Sequence, residues 1–188
     1  LQVPTNRVSR AAGDIHPGGN PHFTHDPRAA VGISRAIADR LTLLDPVNGK
    51  AYKQRAQAWA KKLMAFSAAQ TARFAKLPKS KRKVVSYHLS LSYVYQWLGL
   101  TEVINIEPRP GIPPNPSHTA RVLSTMRVTG AKTIIQEPYY PRSVSKTLSR
   151  LAKGSLVVIP GGTDERRKET YVARLKRMTD GIYKALSK

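Results

Sequence analysis

The chain has 188 residues, 40% of them hydrophobic, and sets 32 Lys and Arg against 11 Asp and Glu for a formal net charge of +21. An apolar share of that size at this length buries a core, which excludes a disordered basic tail, and no apolar run approaches the about 20 residues that span a bilayer. The absence of cysteine excludes disulfides, thiolate metal sites and cysteine nucleophiles, so any bound metal must be held by nitrogen and oxygen.

Residues 1 to 27 are rich in Gly, Pro and Asn around Pro17-Gly18-Gly19-Asn20-Pro21 and read as loop. Leu1 to Ile15 lacks the basic-then-apolar order of a secretory signal, and a start at Leu1 instead of Met reads as a piece of something longer. A helix fits Arg28 to Leu44, where Val31, Ile33, Ile37, Leu41 and Leu44 form a stripe, and Asp45-Pro46 stops it because a residue before proline is biased out of the helical region. A longer helix is predicted over Val47 to Leu77, with Tyr52, Ala56, Trp59, Leu63 and Phe66 in register. At about 1.5 Å per residue it makes a rod of roughly 45 Å, long enough to bridge two lobes.

After Pro78 the period changes. Short apolar strands are predicted at Val84 to Tyr87, Val103 to Ile106, Thr133 to Ile135 and Ser155 to Ile159. Helices between and after them are predicted at Leu91 to Leu98, Ser117 to Thr129, Ser143 to Ala152 and Lys168 to Leu186. The alternation implies an α/β fold with a parallel four-stranded sheet flanked by helices. Ligands of such sheets sit outside the carboxyl ends of the strands, which directs attention to His88, Glu107, Glu137 and Thr163-Asp164.

A neutral imidazole at His88 and a carboxylate at Asp164 suit a divalent ion. Each also has a plain structural reading: a hydrogen-bonded buried histidine for His88, and a turn or helix cap for Asp164. In the first loop His16 and His25 read as surface histidines, whereas His22, fixed in Asn20-Pro21-His22-Phe23, is open to either reading. His118, beside Ser117 in a first helical turn, reads as structural. Glu107 and Glu137 can be posed as an acid and base pair, but both precede proline at strand ends, where pairing with backbone amides or with Lys and Arg accounts for them. Nucleophile elbows, phosphate loops and dinucleotide fingerprints are absent, so the chain does not read as an enzyme. Basic runs at Lys79-Ser80-Lys81-Arg82-Lys83 and Arg166-Arg167-Lys168 carry no interleaved aromatics and read as solvated helix ends and loop edges.

Five segments occur in an order that resembles the metal-binding solute receptors of ABC importers, of the cluster A-I type that takes up zinc or manganese in bacteria. They are Gly13-Asp14-Ile15-His16-Pro17 with Asn20-Pro21-His22-Phe23 and Asp26-Pro27; Val84 to His88; Ile106-Glu107-Pro108-Arg109-Pro110-Gly111-Ile112-Pro113-Pro114; Glu137-Pro138-Tyr139-Tyr140; and Gly161-Gly162-Thr163-Asp164. The resemblance implies two βα lobes joined by one long helix, with the metal held in the cleft. Residues 1–45 would then be the remnant of the first lobe, 46–77 the linking helix and 78–188 the C-terminal lobe, with most of the first lobe lacking. It implies metal ligands at His22, His88 and Asp164, with zinc the leading ion and manganese next.

The implied partners are a divalent metal ion and a membrane permease of the ABC type, with no specific nucleic acid, from a monomer in a periplasmic or other extracytoplasmic space. The alternative is a metal-incompetent lobe reused as a basic binder of nucleic acid or anionic surfaces.

Overall fold

Asp26 opens the first helix: its side chain accepts from the Arg28 amide while Pro27 takes the first helical position, so α1 runs Pro27–Leu44. The computed structural model describes residues 19–188. A single 3-10 turn at Pro46–Asn48, capped by Asp45, reverses the chain into α2, Gly49–Ala75. These two helices form a hairpin whose buried seam is Ala30, Val31, Ala60 and Leu63, with Trp59 packed against it.

The apolar stripe expected on α1 does not face this seam. Of its five residues only Val31 is buried, and Ile33, Ile37, Leu41 and Leu44 are exposed. The contact is made instead through Val31 with Ala30 and Ala38, small side chains that let two helices approach closely.

Beyond α2 the alternation is as predicted, with β1 at Lys83–Ser86, α3 at Ser92–Leu98, β2 at Thr101–Asn105, α4 at Pro116–Thr129 and β3 at Thr133–Gln136. The series closes with α5 at Arg142–Leu151, β4 at Ser155–Val158 and α6 at Tyr171–Leu186. The last helix starts later than the predicted Lys168 because Lys168 lies in the left-handed region and Thr170 provides the cap, accepting from the Ala173 amide. All strand pairs are parallel, in the order β2-β1-β3-β4. The fold is therefore α/β, a parallel four-stranded sheet flanked by helices.

Side-chain alternation divides the core. Val84 and Ile135 point into a cluster with Phe74 of α2, Trp97 of α3 and Leu175 and Ile182 of α6. Their neighbours Val85 and Ile134 point the other way, onto Val122 and Met126 of α4 and Leu148 of α5. Both faces are covered, which is why the strands read as unbroken apolar runs. Between α5 and β4, Gly154 lies so close to the Lys132 carbonyl that any Cβ there would collide with it. The chain leaves β1 for β2 on one side and then crosses to β3 on the other. The point where winding direction reverses therefore lies between β1 and β3, outside their carboxyl ends.

Candidate metal centre

His88 lies at that reversal point. Tyr87 donates its amide to Ile135 and Glu107 donates to the Tyr87 carbonyl, so the backbone stays tied to both neighbouring strands up to the histidine. The ring is 8% exposed, and its Nδ1 lies 2.7 Å from Oε2 of Glu107, which also accepts from the Gly111 amide at 3.2 Å. A carboxylate only accepts, so in the neutral imidazole Nδ1 carries the proton and Nε2 carries the lone pair.

His22 arrives by a different route to the same state. It begins a short 3-10 turn, His22–His25, and Oδ1 of Asn20 accepts from both its amide at 3.0 Å and its Nδ1 at 2.7 Å. The other end of the Asn20 amide, Nδ2, donates to the Leu89 carbonyl at 3.1 Å, which fixes which end is oxygen. His22 therefore also carries its proton on Nδ1 and its lone pair on Nε2. Asn20 is further anchored by Tyr93, whose hydroxyl donates to its carbonyl at 2.9 Å. The two imidazoles meet edge to face, with centroids 5.4 Å apart and planes at 77°.

Glu137, at the end of β3, is fully buried, and neither of its carboxylate oxygens has a hydrogen-bond partner, nor do the Ser90 hydroxyl and the Asn105 side-chain oxygen. Burial pushes the Glu137 carboxyl above its usual range, while the nearby Ser90 hydroxyl and the His88 ring act the other way, too weakly to reverse it. Tyr140 closes the site from the side, stacked on Tyr87 at 4.6 Å and tilted against His88 at 5.7 Å. The two imidazoles, each with Nδ1 engaged, and the buried Glu137 carboxylate are the groups whose chemistry suits a cation.

Asp164 is engaged in a turn of its own. Its side chain is 38% exposed, caps the Glu165–Arg167 turn through the Arg167 amide at 3.3 Å and pairs with the Arg167 guanidinium at 3.5 Å. It borders a shallow depression with Gly161, Gly162 and Arg177. Among the described residues no three His, Asp or Glu side chains are assembled as a metal-holding set.

The remaining histidines separate clearly. His25, expected at the surface, is 6% exposed and faces the buried guanidinium of Arg174 at 3.1 Å. Arginine only donates, so Nδ1 of His25 must accept and Nε2 holds the proton, the reverse of His22 and His88. Burial, then Arg174 and then His22 lower its pKa to about 4. His118 holds the Asn105 carbonyl through Nε2 at 3.0 Å, a structural role. His16 and the Gly13 to Pro17 segment lie outside the described residues.

Sequence reasoning named both histidines but missed what holds them. Glu107 does meet a backbone amide, as expected, but its second partner is His88. The signal for Asn20 is its Asx-turn, in which an Asn side chain accepts from the backbone amide two residues on.

Residues 3–185 match the family described as zinc-uptake complex component A periplasmic, ZnuA. The chain belongs to this family. Among curated proteins no relative matches. Solved structures similar to this ZnuA-family chain include the laminin-binding protein Lmb of Streptococcus agalactiae, described as bifunctional with adhesin and metal-transporting activity. It is 22% identical with a TM-score of 0.77, over 97% of this chain and 68% of that one. FpvC from Pseudomonas aeruginosa in complex with Ni2+ is 28% identical with a TM-score of 0.74, over 89% of this chain and 63% of that one. A Zn(II)-bound variant of AdcAII from Streptococcus pneumoniae is 24% identical with a TM-score of 0.75, over 89% of this chain and 60% of that one. This ZnuA-family chain thus spans between 60% and 68% of the length of these three structures.

Proposed function

We propose that the chain captures a divalent transition-metal ion, zinc first and manganese second, and delivers it to an ABC permease from the periplasmic or an equivalent extracytoplasmic side of the membrane. The observation that carries this reading is the pairing of His22 and His88, brought together from chain segments 66 residues apart with Nε2 as the lone-pair nitrogen in both rings. Nitrogen-rich ligation favours zinc over manganese, which prefers more oxygen. The nickel and zinc held by two of the similar structures support a divalent ion without choosing between them. Asp164 is the proposed carboxylate donor, and its pairing with Arg167 is the competitor that metal binding has to displace.

Calorimetric titration of the chain with zinc and with manganese tests the proposal. His22→Ala and His88→Ala should each weaken zinc binding by at least about 10-fold, with Asp164→Ala weaker than wild type but less severe. Absence of binding to either ion, or an unchanged affinity in His88→Ala, would remove the metal reading.

A further inference from the structure

A histidine that is to bind a metal through Nε2 must be neutral with its proton on Nδ1, and a free imidazole does not hold that state by itself. We infer that Glu107 and Asn20 are the positioning residues of the site, each locking one histidine in the Nδ1–H tautomer so that both present Nε2 to the same ion. The inference rests on the metal reading above and deepens it.

The two locks differ in construction. The one on His88 is a charged carboxylate held by its own turn. Gly111 has a φ of 76°, a left-handed conformation that favours glycine, and its amide meets Oε2 of Glu107 at 3.2 Å. Arg109 and Ile112 close the turn by an antiparallel bridge, and Pro108 and Pro110 restrict its backbone. Oε2 is thus fixed between the Gly111 amide and His88, the latter at 2.7 Å, which gives the Glu107-Pro108-Arg109-Pro110-Gly111 stretch a physical role.

The lock on His22 is a neutral amide, and its orientation is set from the other side of the site, by the Leu89 carbonyl one residue after His88. Asn20 therefore does two things: it selects the His22 tautomer and couples the His22 loop to the segment that carries His88. His25, three residues from His22, shows that the tautomer is set by the partner and not by the local turn, since Arg174 imposes the opposite form there.

The test reads the tautomers directly, without metal. Long-range 1H–15N spectra of the full chain should show His22 and His88 in the Nδ1–H form and His25 in the Nε2–H form. In E107Q the carboxamide can donate to Nδ1, so His88 should shift toward Nε2–H while His22 stays unchanged. Zinc affinity should then fall about 10–100-fold at an unaltered melting temperature. N20A should do the converse, shifting His22 and sparing His88. A wild-type His88 already in the Nε2–H form, a His88 unmoved in E107Q, or a shifted His88 with undiminished zinc affinity would each overturn the inference. A wild type that binds no zinc while Glu107 still governs the His88 tautomer overturns the metal reading and leaves the tautomer assignment standing.

Discussion

At the scale of single residues, the consequential pair outside the candidate metal centre is His25 with Arg174. Both are buried, and only one of them can carry a charge at low cost. Arg174 also donates to the Thr24 carbonyl at 3.0 Å and Tyr171 donates to the same oxygen at 2.9 Å, so α6 grips the turn that delivers His22. Because the folded-state pKa of His25 is lowered from 6.5 to about 4, the unfolded chain binds a proton between those values that the folded chain refuses. Its contribution is complete above pH 6.5 and is lost as pH falls toward 4, by roughly 3 kcal/mol at most. Urea denaturation across that range should show a pH-dependent loss of stability that is much flatter in His25→Gln. Parallel pH profiles for the two proteins would refute this assignment. None of this was legible in the sequence, because a histidine in a Pro-rich loop gives no sign of the arginine 149 residues away that will cover it.

At the scale of elements, most boundaries were legible because caps and breakers are local. Pro27, Gly99, Gly130 and the Asp45-Pro46 pair act on their own neighbours, and the strands betray themselves by short apolar runs between turn residues. The direction in which α1 presents its faces was not legible. A stripe shows that one side of a helix is apolar, but the partner chooses which side is used, and α2 took the small side chains. Ile37 is 55% exposed and Leu63 fully buried, so the two should answer differently to substitution. Leu63→Ala should cost about 2–5 kcal/mol in chemical denaturation, and Ile37→Lys no more than about 0.5 kcal/mol. A loss at Ile37 matching that at Leu63 would mean that the stripe is covered in solution.

At the scale of the whole molecule, the charge of +21 is the feature that most invites a nucleic-acid reading, and the structure gives its densest run another use. Arg82 donates to the Ala75 and Leu77 carbonyls at 2.5 and 2.8 Å, Lys83 to Thr129 at 3.0 Å and Lys81 to Ser187 at 3.2 Å. One basic run therefore satisfies carbonyls at the ends of α2, α4 and α6, where cations also complement the helix dipoles. Replacing Lys81, Arg82 and Lys83 together by Ala should lower stability by about 1–3 kcal/mol. Duplex DNA should bind weakly to the wild type, and saturable binding with a steep salt slope, abolished by the triple substitution, would restore the nucleic-acid reading. A positive surface opposes cation capture at long range, so the metal reading depends on the few side chains around His22 and His88. The order of elements and the parallel α/β class came from sequence alone, as did the choice of His22 and His88 as candidates, because periodicity, breakers and motif spacing are written in neighbouring residues. Only the tertiary structure decided which ring nitrogen of each histidine carries the proton and that His25 is buried. Those properties are set by partners distant in the chain: Leu89 for the Asn20 amide that holds His22, Glu107 for His88 and Arg174 for His25.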